Sequence, residues 1–160
     1  MIAMKSRMIQ VLAAGIFAVV VSACASAPKT AAEPRLAGTG QVQVTVSGFE
    51  SEHGQVLIAL FLDESGWPND KGVAFGATVL PIRERQAVAE FKDVPAGAFA
   101  ISVFHDEDSD HELDTGAFGI PSEHYGFSRG ARGSFGPPSF DDARLDLAEG
   151  ESKQVTIRVE

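Results

Sequence analysis

Val42, Val44 and Val46 alternate with Gln41, Gln43, Thr45 and Ser47, a period of two that fits a strand with one buried face and does not fit a helix. The next apolar run, Val56-Leu57-Ile58-Ala59-Leu60-Phe61-Leu62, has no polar break, which suits a central strand covered on both sides. With residues 48–54 as the turn between them, the two are expected to pair as a hairpin. Further runs at 73–82, 86–91, 99–103, 143–147 and 153–159 have the same short, turn-bounded character, and Arg83-Glu84-Arg85 reads as a solvated turn. With 16 glycines, 8 prolines and 11 phenylalanines and few helix-period stretches, the chain is expected to be all-β. About seven short strands with turns between them describe a single antiparallel β-sandwich of immunoglobulin or prealbumin kind, with one long aromatic-rich loop.

The N-terminus has a different character. Lys5 and Arg7 precede a mostly apolar run from Met8 to Val21, and the run ends in Val21-Ser22-Ala23-Cys24. A basic start, a short apolar segment and small residues before a cut describe a secretory signal over residues 1–23, too short to span a bilayer. Val21 to Cys24 resembles a bacterial lipobox, in which the cysteine is acylated and becomes the new N-terminus. Cys24 is the only cysteine, so no disulfide explains it. By the same resemblance, Ala25 favours the outer membrane facing the periplasm. The expected partner there is the membrane itself, through the N-terminal lipid anchor. Residues 24–40, rich in small residues and with two prolines, read as a flexible tether, leaving 41–160 as the folded domain.

The body of the protein is acidic. Of its 13 basic residues two lie in the first 23 positions, leaving 11 against 22 acidic ones. A surface with that balance is repelled by phosphate backbones, which excludes nucleic acid as a partner.

The acid is concentrated in His105-Asp106-Glu107-Asp108-Ser109-Asp110-His111-Glu112-Leu113-Asp114. Asp106, Asp108, Asp110 and Asp114 fall at alternating loop positions, and Glu112 adds a further carboxylate. That spacing aims several oxygens at one point, the chemistry of a calcium site. An EF-hand loop would need glycine where His111 stands and glutamate where Ala117 stands, so the loop is not one; histidine enters the left-handed region more readily than most residues. The competing explanation is an acidic turn whose aspartates cap their own backbone. His105 and His111 flank the carboxylates and His124 lies downstream, a weaker pattern for zinc.

Residues 115–142 are long for a structureless connection. Phe118, Tyr125, Phe127, Phe135 and Phe140 are expected to pin this segment, either as a cover for the acidic loop and one sheet or, with His105, Glu123 and His124, as a platform for a ligand. Trp67 is expected to pack over the open end of the core. Gly126-Phe127-Ser128-Arg129-Gly130 fits the G-x-S-x-G pattern of esterases, but the glycines and prolines that follow cannot continue as the helix that motif requires.

Pro95-Ala96-Gly97-Ala98-Phe99-Ala100, His105-Asp106-Glu107-Asp108 with Leu113-Asp114, Phe118 to Ser128, and Pro137-Pro138-Ser139-Phe140-Asp141-Asp142-Ala143 together resemble an exported bacterial family, domain of unknown function 2141, over about residues 41 to 159. The resemblance implies a secreted or lipid-anchored β-sandwich and no particular reaction. The expected function is a non-enzymatic, lipid-anchored envelope module with a calcium-stabilised acidic loop and an envelope protein or glycan as partner. The alternative is a small hydrolase or sugar-processing module using His105, Asp106 and Glu123.

Overall fold

The structure, a computed structural model, describes residues 38–116 and 121–160. The expected signal segment, Cys24, most of the tether and Phe118 lie outside the described residues. The described chain is all-β, with eight strands in two sheets and a single turn of α-helix. The strands are β1 (Thr39–Ser47), β2 (Gln55–Phe61), β3 (Gly76–Pro81), β4 (Gln86–Pro95), β5 (Gly97–Asp106), β6 (Tyr125–Phe127), β7 (Leu145–Leu147) and β8 (Ser152–Arg158), with helix α1 at Phe140–Ala143.

One sheet has the order β4-β1-β8 and the other β3-β2-β5-β6, with β7 pairing the start of β5. The expected β1–β2 hairpin does not form: β1 pairs with β4 and β8, and β2 with β3 and β5. The two strands instead face each other across one core. Val42, Val44 and Val46 from the first sheet and Val56, Ile58, Leu60, Ile101 and Val103 from the second are all buried in it, giving a sandwich-like arrangement. Each such side chain removed from water contributes roughly 1.5–3 kcal/mol. The connection between β1 and β2 has room for the change of sheet, and Phe49 within it is buried in the same core.

Contrary to the antiparallel sandwich expected from sequence, β1 and β8 run parallel, in register from Gln41 opposite Ser152 to Ser47 opposite Arg158. Nor are there seven strands. The eighth is β6, three residues inside the glycine-rich segment, where no alternation is visible. β3 begins at Gly76, not Val73, and β5 runs on to Asp106.

Register divides the domain into two ends. At one lie the starts of β1, β5 and β8, with Thr39 opposite Pro95, Gly97 opposite Leu147 and Gln41 opposite Ser152. At the other, Gln55 is opposite Asp106 and Ser47 is opposite both Gln86 and Arg158. The acidic loop therefore projects from the end opposite the one where β1 begins.

Both faces of β2 are buried, as its unbroken apolar run implies. On the face turned away from the core, Trp67 gathers a second cluster. Its ring lies 5.4 Å from Phe61, 5.6 Å from Phe127 and 5.9 Å from Phe140, and its Nε1 donates to the Pro138 carbonyl at 2.8 Å. These contacts pin Phe127, Pro138 and Phe140 of the aromatic-rich segment to the sheet, as expected of those two aromatics. Phe135 is the exception and is fully exposed.

Candidate functional site

β5 ends by carrying His105 and Asp106, both with no exposed surface, into the acidic loop. Gly54 makes the junction possible: its φ is +68°, and a Cβ there would stand 2.0 Å from the Asp106 carbonyl oxygen, so any other residue would push the loop away.

Asp106 organises the loop from inside. Its Oδ1 accepts the Asp110 amide at 3.1 Å, and its Oδ2 accepts the His111 amide at 3.1 Å and the Gln55 side-chain amide at 2.7 Å. Burial pushes its carboxyl pKa up, but hydrogen bonds from Gln55 and the amides of His111, Ser109 and Asp110 outweigh that and hold it below the ordinary carboxylate value. Asp108 accepts the Asp110 amide at 3.2 Å and Asp110 accepts the Glu112 amide at 2.7 Å. Ser109 and His111 sit at φ +66° and +68°, so histidine does take the left-handed position where an EF-hand has glycine.

A residue far along the chain closes the loop. The Glu123 carboxylate is buried and accepts the Glu107 amide at 2.8 Å through Oε1 and the Asp114 amide at 3.0 Å through Oε2, clamping both ends.

Among the described residues, two groups bring ligand-type atoms within 4.8 Å of one another: Asp106 with Asp108 and Glu123, and His105 with Glu107 and His124. Asp110, Glu112 and Asp114, expected as ligands, fall outside both. The first group is all oxygen and suits a hard cation. None of the ion pairs among the described residues reaches its three carboxylates. Glu123 was expected in a ligand platform or, with His105 and Asp106, in a hydrolase site, and not as a metal ligand; its clamp on the Glu107 and Asp114 amides joins positions that only tertiary structure brings together. His111, expected alongside His105 and His124, instead turns its Nδ1 toward the Gln55 side chain at 3.5 Å.

A cleft of about 620 Å³ opens on the outer face of the β2–β5 sheet. Leu57, Ala59, Phe104 and Tyr125 form its floor, and His111 and Leu113 of the acidic loop form one wall. Lys71 fastens that wall: its Nζ donates to the His111 carbonyl and lies 5.5 Å from the centre of the Phe104 ring. Phe127 and Tyr125, expected as platform residues, both line the cleft, whereas Glu123, His105 and His124 do not.

Ser128 is fully buried; it accepts the Ile101 amide at 3.0 Å and donates to the Ala143 carbonyl at 2.6 Å. The chain after it makes one 3-10 turn (Ser128–Gly130), not the helix of a nucleophile elbow. Its hydroxyl stands in for a strand. β6 pairs with Ser102–Phe104 and β7 with Gly97–Phe99, and Ser128 bonds the backbone in the gap between them.

No curated protein and no solved structure matches the chain. Residues 44–156 match the model of the family described as uncharacterized protein conserved in bacteria, DUF2141, and the chain belongs to that family.

Proposed function

We propose that this protein is a non-enzymatic binding module of the bacterial envelope, exported and lipid-anchored through Cys24, with its working surface at the acidic-loop end. The observation that carries the reading is the cleft of about 620 Å³, a size usual for small-ligand sites, with an aromatic and aliphatic floor and a polar rim. A sugar ring fits that chemistry. Its apolar face would lie on Tyr125 and Phe104, and its hydroxyls would meet Asn69, Thr78, Asp110 and Glu112 at the rim.

In this reading calcium, held by Asp106, Asp108 and Glu123, steadies the loop that forms the wall of the cleft. The hydrolase alternative gains no support from the geometry. Asp106 is occupied by three hydrogen bonds, Glu123 by two backbone amides, and His105 is sealed from solvent.

Trp67, the only tryptophan, packs beside the cleft-lining Phe127 and reports on the site. Titration with a panel of envelope oligosaccharides should give a saturable change in its fluorescence, weakened at least tenfold in Tyr125→Ala and by chelator. Calcium at one hundred times its Kd should add about 2.7 kcal/mol of stability in a melt, an effect abolished in Asp108→Asn. Absence of saturable binding at millimolar sugar would remove the ligand class, and a melt indifferent to millimolar calcium would remove the ion.

A further inference from the structure

The imidazole of His105 has no exposed surface, and its Nδ1 is the one buried side-chain nitrogen or oxygen atom among the described residues that has no hydrogen-bond partner. Its other nitrogen decides what that atom is. Nε2 lies 2.8 Å from the His53 carbonyl oxygen, which can only accept, so the proton of the neutral ring is on Nε2. Nδ1 then carries a bare lone pair. It faces Glu107 Oε1 at 3.6 Å, an acceptor beyond hydrogen-bond distance, with which the ring would form an ion pair only if protonated on both nitrogens. A buried lone pair facing a carboxylate, on a ring fixed by a backbone carbonyl behind it, is the arrangement of a metal-ligating histidine with its supporting hydrogen bond.

His124 completes the group. Its backbone carbonyl accepts the His105 amide at 2.8 Å, which ties the residue before β6 to β5 and sets the two rings 6.5 Å apart, centre to centre. Ligand-type atoms of His105, Glu107 and His124 all lie within 4.8 Å of one another. Zinc–nitrogen and zinc–oxygen bonds of about 2.0–2.1 Å make the edge of a tetrahedron roughly 3.3 Å. The 3.6 Å separation of His105 Nδ1 and Glu107 Oε1 is already close to that edge, and the His124 ligand atom lies within 4.8 Å of both. Glu50, with Oε1 3.8 Å from His124 Nε2, stands ready as a further oxygen ligand or as the acceptor for that ring.

We infer that His105 through Nδ1, Glu107 and His124 form a site for a divalent transition-metal ion of zinc type, separate from the all-oxygen group at Asp106, Asp108 and Glu123. Two nitrogens and one carboxylate are a donor set that zinc accepts and calcium does not favour. Three protein ligands leave a coordination position for water or for a group on a partner.

The test uses the full chain stripped with chelator and titrated with zinc chloride, with calorimetry for affinity and elemental analysis for stoichiometry. One equivalent of zinc should bind, and the imidazole ¹⁵N spectrum should show His105 protonated at Nε2 before titration, with the Nδ1 resonance moving on addition of metal. Because His105 is buried and its replacement can unfold the domain, the deciding variants are His124→Ala and Glu107→Gln. Each should weaken zinc at least tenfold while the metal-free melting temperature stays unchanged. His111→Ala and Asp108→Asn should leave zinc affinity as it was, which separates this site from the calcium reading. Failure to take up stoichiometric zinc, uptake indifferent to both deciding variants, or a His105 ring protonated on both nitrogens at neutral pH would each overturn the assignment.

Discussion

Replacing Ser128 with alanine removes a single oxygen and leaves two backbone groups without partners in a place water does not reach. The Ile101 amide loses its acceptor at 3.0 Å and the Ala143 carbonyl its donor at 2.6 Å, and both residues have no exposed surface. An orphaned buried group costs about 1–3 kcal/mol, and carbonyls, with two lone pairs, tolerate the loss better than amides. The expected destabilisation is therefore about 2–4 kcal/mol. For a domain of this size each kcal/mol moves the melting temperature by roughly 3–6 °C, so the variant should melt roughly 6–24 °C below the parent. Urea unfolding followed by Trp67 fluorescence gives the free energy directly, since Trp67 packs against Phe127, the neighbour of Ser128. A catalytic serine behaves in the opposite way, because its removal abolishes turnover and spares or raises stability. A Ser128→Ala protein that melts within about 1 °C of the parent would refute the bridging role between β6 and β7.

Three further outcomes are expected. Gly126→Ala places a Cβ 2.5 Å from the Arg158 carbonyl oxygen and 3.0 Å from an Ile157 methyl, and should destabilise by about 1–3 kcal/mol in the same urea assay. Glu84 and Arg85 sit at φ +51° and +56° between Arg83 and Gln86, whose backbones exchange two hydrogen bonds of 2.9 Å, so the double change Glu84→Asn, Arg85→Gly should stabilise by about 0.5–1.5 kcal/mol. Asp106 has a folded-state pKa below its unfolded value of about 3.9, so its contribution is complete above that value and is lost as the pH falls through the lower, folded one. Melts in chelator should show a decline in stability below about pH 4 that is shallower in Asp106→Asn.

Most strands were legible in the sequence because their patterns were local. The alternating valines of β1 and the apolar run of β2 each determine their own burial, whatever their neighbours. What they could not determine was pairing. Strands covered on one face by the same core can lie in one sheet or in opposite sheets with identical patterns, which is why the β1–β2 hairpin was a reasonable expectation and is not the fold. β6 was invisible for a different reason: it has three residues, one of them glycine, and is a strand only because Ser102, Val103 and Phe104 offer it an edge. In the loop, the capping aspartates and the left-handed His111 followed from spacing and residue type. Glu123 and His124 did not, since their roles arise where the 115–142 segment returns to β5.

The strand that continues from the N-terminal segment, β1, is the middle one of three, hydrogen-bonded along its length to β4 on one side and to β8 on the other. Tension on anything attached ahead of Gly38 would pull β1 lengthwise, loading two ladders of bonds that lie across the line of force, where the same pull on an edge strand would load only one.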